Sequence, residues 1–366
     1  MKNTFGNSVS VTLFGESHGP AVGAVLDGLA PGIPVDQDFI AHQLTLRRPV
    51  GRTGTARREQ DRFTIVSGVY EGKTTGTPLC ILIPNDDTDS TAYEALHGVA
   101  RPGHADYTAQ CKYHGYQDGR GGGHFSGRLT APLVAAGAIV IDALRMCGIQ
   151  IGTHILRCGG IADRAFNDLR HDIDQLNQMV FAVLDEHAKQ AMEAKIAETA
   201  FMGDSVGGVL ETAVIGLPAG IGEPWFDTVE GLLSHALFSI PAVKGVEFGD
   251  GFAMADETGS GCNDHFSMDN GRIVTTTNHN GGINGGITNG MPLLFRCAVK
   301  PTPSISKEQQ TVDFLQRENT TVSIKGRHDP AIVHRARVVV DSVTALVLCD
   351  LLAERFGTDW LAGGVE

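Results

Sequence analysis

Positive charge is in short supply in this chain, and the shortage narrows its partners. Lysine and arginine number 29 against 42 aspartate and glutamate, a net charge of −13, so neither nucleic acid nor an anionic membrane is an expected partner. Cysteines are few and unpaired in pattern: Cys80, Cys111, Cys147, Cys158, Cys262, Cys297 and Cys349 make an odd number with no Cys-x-x-Cys. That argues against a disulfide framework or a zinc site and points to a reducing, cytoplasmic setting. Met1–Gly15 has no basic segment followed by an apolar core, so no signal peptide is expected. The most apolar stretch, Leu129–Leu144, contains Asp142 and is too short to span a bilayer. No proline-rich or serine-rich linker divides the halves, which predicts one intertwined domain over residues 1–366. Walker and Rossmann spacings are missing, as is any carboxylate-rich motif to hold two metals, so no metal site is expected.

Glycine is abundant instead: 46 of 366 residues, well above the usual ~7%. The glycines cluster in short loops between apolar runs, where backbone turns sharply or approaches a ligand. Arginine is also concentrated. Arg47, Arg48, Arg52, Arg57, Arg58 and Arg62 are answered locally only by Glu59 and Asp61, a pattern open to two readings, a small anionic ligand or a solvated basic loop.

Short strand-like runs dominate: Ser8–Phe14, Ala21–Leu26, Arg62–Val69, Pro78–Ile83, Val209–Ile215, Arg272–Thr277, Met291–Val299 and Arg335–Val340. Leu129–Met146 is apolar on nearly all sides and predicts a central buried helix, and Asp341–Phe356 reads similarly. Asp172–Glu198 predicts a charged surface helix, with shorter helices at Val35–Leu44 and Thr228–Leu237. Without regular βα alternation, the expected class is α+β. A shift of 188 residues lays Gly15-Glu16-Ser17 on Gly203-Asp204-Ser205, Gly28-Leu29 on Gly216-Leu217, and Gly32-Ile33 on Gly220-Ile221. This predicts an internal duplication of a strand–strand–helix unit, with copies starting near residues 9 and 203. His18 of the first copy meets Val206 of the second, so one copy is expected to keep chemistry and the other only shape.

Five segments carry candidate chemistry. Gly15-Glu16-Ser17-His18-Gly19 ends a strand-like run, and its histidine can exchange protons near neutral pH, although a structural turn histidine is the commoner outcome. Ser17 is not followed by a helix pattern, so it is not a hydrolase nucleophile elbow. Arg101–Asp106 presents His104 on a Pro-Gly turn, with Asp106 orienting a neighbour or capping a helical turn. Gly119–Arg128 is a glycine loop running into the apolar helix, where backbone N–H groups suit phosphate. Asn278–Ile287 holds two Gly-Gly-Ile units that lie flat against another strand or a planar ring, and it leads on to Lys300–Ser304. Lys325–Pro330, followed by Arg335 and Arg337, adds a second basic cluster.

Taken in order, these segments resemble the chorismate synthase family over essentially the whole chain. Further matches lie at Gly28–Pro34, Arg47–Pro49, Arg57–Asp61, Ala242–Phe252 and Lys300–Ile305. The resemblance implies a homotetrameric β-α-β sandwich, with helices between two antiparallel sheets. It also implies an anti 1,4-elimination of phosphate from 5-enolpyruvylshikimate 3-phosphate that requires reduced FMN. Bifunctional relatives reduce their own flavin with NADPH, others draw on an external flavin reductase, and the resemblance leaves both open; the compact length leans to the second kind, in which NADPH enters only indirectly. By position, His18 matches the histidine of the departing phosphate, His104 the one that protonates reduced flavin, and Asp329 the aspartate that supports deprotonation near flavin N5. Substrate contacts fall on Ser17, Arg48, Arg128 and Arg337. Flavin contacts fall on His124, Phe125, Ser126, Ala242, Gly285, Lys300, Pro301, Thr302, Pro303, Ser304 and Arg327. Arg47 and Arg52 match positions suggesting nicotinamide-nucleotide contact. Two departures stand out: His124-Phe125-Ser126-Gly127-Arg128 where many members have Arg-Ser-Ser-Ala-Arg, and Pro241-Ala242 in place of Asn-Ala. A phosphatase and an anion-binding regulatory protein are the competing readings. The first lacks a nucleophile or metal cluster, and the second gives no reason for His18, His104 and Asp329 together.

Overall fold

A computed structural model of the chain describes residues 2–48, 60–86, 97–324 and 329–363. Two five-stranded antiparallel sheets enclose a layer of helices. The first sheet contains β1 (Thr4–Phe5), β2 (Ser10–Gly15), β3 (Ala21–Asp27), β4 (Thr64–Ser67) and β5 (Leu79–Pro84), in the order β1-β2-β3-β5-β4. The second contains β6 (Gln150–Cys158), β7 (Ile161–Ala162), β8 (Gly208–Ile215), β9 (Val243–Phe248) and β10 (Leu293–Val299), in the order β9-β10-β8-β6-β7. Among the described residues, the α-helices of eight residues or more are α1 (Gln37–Arg47), α2 (Asp106–Tyr113), α3 (Thr130–Met146), α4 (Leu169–Leu176), α5 (Glu186–Phe201), α6 (Val229–Leu237) and α7 (Val333–Phe356). Between the sheets, α3 lies on β3 and β5, α7 lies on β6 and β8, and the two helices pack on each other. This is the α+β sandwich that the sequence led us to expect.

Nearly every residue of α3 is buried, because a helix between two sheets has no wet face. The stretch Gly127–Met146, 20 residues long, is apolar enough by length and composition to cross a membrane, which corrects the reading of this segment as too short. Here it forms the protein core instead. Its crossing with α7 is close at Gly137, where a Cβ would stand 2.3 Å from Ser342 Cβ. Several polar groups of α7 have partners: Asp350 accepts from the backbone N–H groups of Asn7, Ser8 and Val9, and Ser342 donates to the Val338 carbonyl at 2.7 Å.

The duplication extends to individual hydrogen bonds. The Ile33 N–H donates to Thr74 Oγ1, and the Ile221 N–H to Thr288 Oγ1, each at 2.9 Å. Thr74 donates to the Ala30 carbonyl and Thr288 to the Pro218 carbonyl, at 2.6 and 2.7 Å. Strands β3 and β8, at the centres of their sheets, correspond under the 188-residue shift. The strand before them does not. Residues 198–203 fall at the end of α5, because α4 and α5 are inserted between β6 and β8. The unit preserved by the shift is therefore strand–helix, and the partner of β2 in the second sheet is β6.

Two other expectations need correction. Arg335–Val340 is not a strand but the opening of the 24-residue α7. Its valines suggest a strand, and burial on all sides removes the periodicity that would reveal a helix. Asp172–Glu198 is two helices, each capped by an aspartate side chain: Asp168 accepts from the His171 N–H and Asp185 from the Ala188 N–H. Between them Phe181, Ala182 and Val183 are buried, and the Ala182 carbonyl accepts from the Ile155 N–H at 2.8 Å.

Candidate functional site

The glycine loop is the hub of the site. Gly121, Gly122 and Gly123 have φ values of 63°, 103° and 55°, a left-handed run that side chains would resist. The loop is tied to the end of β2: the Ser17 N–H donates to the Gly123 carbonyl at 3.1 Å, and Ser17 Oγ to the Arg120 carbonyl at 3.3 Å. His124 Nδ1–H donates to the Gly15 carbonyl at 2.9 Å, which turns Nε2 the other way. The glycines do not open the long helix, as the sequence suggested. A short turn, Gly127–Leu129, intervenes, and Ser126 caps it by accepting from the Arg128 N–H.

Absence of side chains in this loop makes room for two imidazoles. A Cβ on Gly121 would lie 2.4 Å from His18 Cε1, and one on Gly122 would lie 3.4 Å from His104 Cε1. His18 and Ser17 are both buried. His104 Nδ1 is 2.9 Å from Asp106 Oδ1. Asp106 is gripped by Arg101 through two side-chain hydrogen bonds of 2.8 and 2.6 Å. Burial opposes the charge on Asp106, but the hydrogen bonds from Arg101 and His104 outweigh it and hold the carboxyl well below the ordinary range.

Beside the loop lies a cavity of about 540 Å³, walled by both halves of the chain. Arg47, Arg48, His104, His124, Phe125, Ser126 and Arg128 line one side. Ala242, Lys300, Thr302, Pro303, Ser304, Asp329 and Arg335 line the other. Ala242 has φ 75°, and Pro241-Ala242 forms a type II turn closed by the Val243 N–H donating to the Ile240 carbonyl. The turn needs a left-handed residue, which alanine supplies at a cost of about 1–2 kcal/mol. The Ala242 carbonyl accepts from the Lys300 N–H at 2.9 Å, and Lys300 Nζ donates to the Gly103 carbonyl, bracing the two sides together. In the second copy of the repeat, Ser205 Oγ donates to the Thr302 carbonyl at 2.7 Å, much as Ser17 does to Arg120. Each copy thus buttresses a wall of the same cavity.

The arginines differ in their freedom. Arg47 and Arg128 both donate to buried Asp61, the first at 2.8 Å. Burial works against the Asp61 charge, but these two guanidinium groups keep its carboxyl below the ordinary range. Arg128 also donates to Asn85 Oδ1 and to the Pro84 carbonyl, both at 2.9 Å. Arg48 Nε is 4.0 Å from Asp61, and its side chain is 30% exposed. Arg335 donates to Asp329 and to the Arg47 carbonyl.

Several expected site residues lie elsewhere. Arg337 is fully buried away from the cavity, on the Met179 carbonyl and Asp341; Arg335, one helical step earlier, faces the cavity. Gly285 sits in a hairpin outside it. The first Gly-Gly-Ile unit packs on backbone, Gly281 against Gly249 and the Leu294 carbonyl, whereas in the second Gly286 meets the Thr228 side chain and the Glu223 carbonyl and Gly285 faces open space. Pro301 is exposed and does not line the cavity. Arg52 and Arg327, with Arg57, Arg58, Lys325 and His328, lie outside the described residues. Sequence reasoning undervalued Asp61, whose only signal was its place among arginines, and missed Asn85, which gave none.

A cavity walled by guanidinium groups and imidazoles suits an anionic ligand. The model of the chorismate synthase family matches residues 9–353. The chain is 44% identical over 350 residues to the chorismate synthase of Thermococcus kodakarensis, covering 96% of this chain and 97% of that protein. It is 46% identical over 350 residues to that of Archaeoglobus fulgidus, with the same coverage. The crystal structure of a chorismate synthase superposes with a TM-score of 0.76 at 28% identity, covering 96% of this chain and 94% of that one. The chain belongs to the chorismate synthase family, phosphate-eliminating carbon–oxygen lyases that act at the last step of the shikimate pathway.

Proposed function

We propose that the cavity holds reduced FMN and 5-enolpyruvylshikimate 3-phosphate together, and that the anti 1,4-elimination to chorismate and phosphate takes place there. One observation carries this reading: His18 and His104, far apart in the chain, abut successive glycines of a single loop beside a cation-walled cavity. The walls suit a flavin mononucleotide. Phe125, Ile240, Pro303 and Ile332 supply apolar surface, and Lys300 supplies positive charge. Thr302 Oγ1 is buried with no hydrogen-bond partner among the described residues, a polar atom waiting for a ligand. Ser126, Ala242, Thr302 and Ser304 would share that contact. Reduced FMN held by these residues would supply electron density as phosphate leaves and a basic N5 for the C6 proton.

The chain's own residues do the rest. His18, as an imidazolium, stabilises the charge that develops on the departing phosphate. His104 exchanges a proton with the flavin through Nε2, and Asp329 supports deprotonation beside N5. Arg48 and Arg335 hold the anionic groups of the substrate, while Asp61 fixes Arg47 and Arg128 in the wall. Arg335 takes this role in place of Arg337. Both halves of the chain build the cavity, so residues 1–366 act as one domain. Cysteine usage and the family resemblance support a cytoplasmic homotetramer whose flavin is reduced by a separate NADPH-dependent reductase.

The test is an anaerobic assay of purified protein with dithionite-reduced FMN and 5-enolpyruvylshikimate 3-phosphate. Chorismate and phosphate are expected in equal amounts. Folded protein that binds both FMN and substrate without turnover would overturn the assignment.

A further inference from the structure

His104 stands between two cavities. It lines the reaction cavity on one side and, on the other, an outer cavity of about 350 Å³ bounded by Arg101, Asp106, Gln110, Gln117, Asp118 and Phe125. Two groups meet its Nδ1: Asp106 Oδ1 at 2.9 Å and Arg101 Nη2 at 3.0 Å. Arg101 is itself 6% exposed. It holds both carboxylate oxygens of Asp106, and its backbone N–H donates to Oδ2 at 2.9 Å. Neither the carboxylate nor the ring can turn without breaking several bonds. The other charged groups near the ring are Lys300, whose Nζ lies at the Gly103 carbonyl, and, across the outer cavity, Asp118 and Arg120.

An ionised carboxylate only accepts. His104 Nδ1–H therefore donates to Asp106, and Nε2, on the side of Gly122, is the nitrogen that gains and loses a proton. We propose that Asp106, locked by Arg101, is the positioning residue for His104: it fixes the ring's tautomer and direction so that proton exchange occurs at Nε2 without rotation. The inference rests on the role given to His104 above. The same logic makes a histidine's carboxylate partner important in other enzymes, because an amide in its place can donate to Nδ1 and select the wrong tautomer.

The experiment compares Asp106→Asn, His104→Ala and the double variant, all as full chains, in the anaerobic assay with dithionite-reduced FMN. Asp106→Asn is expected to lower kcat by about 10²-fold. The substrate KM and the FMN Kd, the latter from flavin fluorescence, should stay within about threefold of wild type. Adding Asp106→Asn to His104→Ala should cause no further loss, because the carboxylate acts only through the ring. In flavin-free protein, ¹⁵N NMR of labelled histidines should show the neutral His104 ring, identified by loss of its signals in His104→Ala, as the Nδ1–H tautomer in wild type, and the Nε2–H tautomer should gain in Asp106→Asn. Arg101→Lys, which loosens the grip on the carboxylate, should give an intermediate kcat and decides the matter if Asp106→Asn does not fold. Losses that multiply in the double variant, or a loss confined to KM, FMN binding or thermal stability, would overturn the inference. Full activity in His104→Ala would remove the role of His104 itself, and this inference with it.

Discussion

Gly121→Ala isolates the feature on which the functional reading depends. Its backbone has φ 63°, so any side chain costs about 1–2 kcal/mol in conformation alone. The new methyl would also lie 2.4 Å from His18 Cε1 and 2.6 Å from Nδ1. Ordinary contacts are 3.4–4 Å, so ring and loop must separate by about 1 Å. The loop cannot give way easily, because Ser17, next to His18, is bonded to the carbonyls of Gly123 and Arg120. His18 is 6% exposed, which leaves its ring little space to retreat. The ring therefore moves from the position that serves the leaving phosphate. A displacement near 1 Å costs about 10²-fold in kcat, equivalent to about 2.7 kcal/mol of barrier. Steady-state turnover with reduced FMN measures that loss, and urea unfolding measures the 1–2 kcal/mol of stability. Gly119→Ala is the control: Gly119 has φ −81° and nothing within 4 Å of the added methyl, so stability should change by less than about 0.5 kcal/mol. Wild-type kcat and an unchanged unfolding midpoint for Gly121→Ala would refute the reasoning.

Asp61→Asn should destabilise the fold by about 3–5 kcal/mol, because it removes the carboxylate that the buried Arg47 and Arg128 share; chemical denaturation checks this. Gly137→Ala should cost about 1–3 kcal/mol by driving α3 from α7, despite the helix propensity of alanine, and a gain in melting temperature would contradict the close crossing. A third test concerns pH. His154, buried in the second sheet, donates to Asp163 at 2.7 Å and to Glu211 at 3.0 Å. Burial alone would lower its pKa, but those carboxylates raise it above 6.5, and they themselves are held below their ordinary values. The imidazolium's contribution is complete below about pH 6.5 and fades as pH rises through the raised value. The carboxylates' contribution is complete above about pH 4.5 and fades as pH falls. Melting temperature should therefore peak between these limits, and His154→Gln should flatten the alkaline limb.

Much of the layered fold was legible because its cause is local. Leu129–Met146 reads as buried from composition alone, and the paired glycines near residues 28 and 216 mark turns that only glycine tolerates well. The opening of α7 was not legible, since Val338-Val339-Val340 suits a strand and only burial between two sheets makes it helical. The same limit applied to β6 and β9, which went unnoticed, and to the insertion of α4 and α5 that broke the apparent strand–strand–helix repeat. In the site, His18 and His104 could be singled out because each follows or precedes glycine at a turn. Arg337 and Arg335 could not be separated, because two residues on one helix turn their side chains to different faces.

The sequence by itself determined which residue types were available: an arginine cluster, glycine loops, three titratable residues in distinctive turns, and a strand–helix pattern used twice. Those are properties of neighbouring residues, set by backbone freedom and side-chain chemistry. Only the tertiary structure decided that Gly121 and Gly122 would each seat an imidazole, that Asp61 would bind Arg47 and Arg128 into one wall, and that Arg101 would lock Asp106 against His104. Each of these joins residues through close approach in space and through burial, which strengthens every charge interaction inside it, and neither distance nor burial is written in the order of the chain.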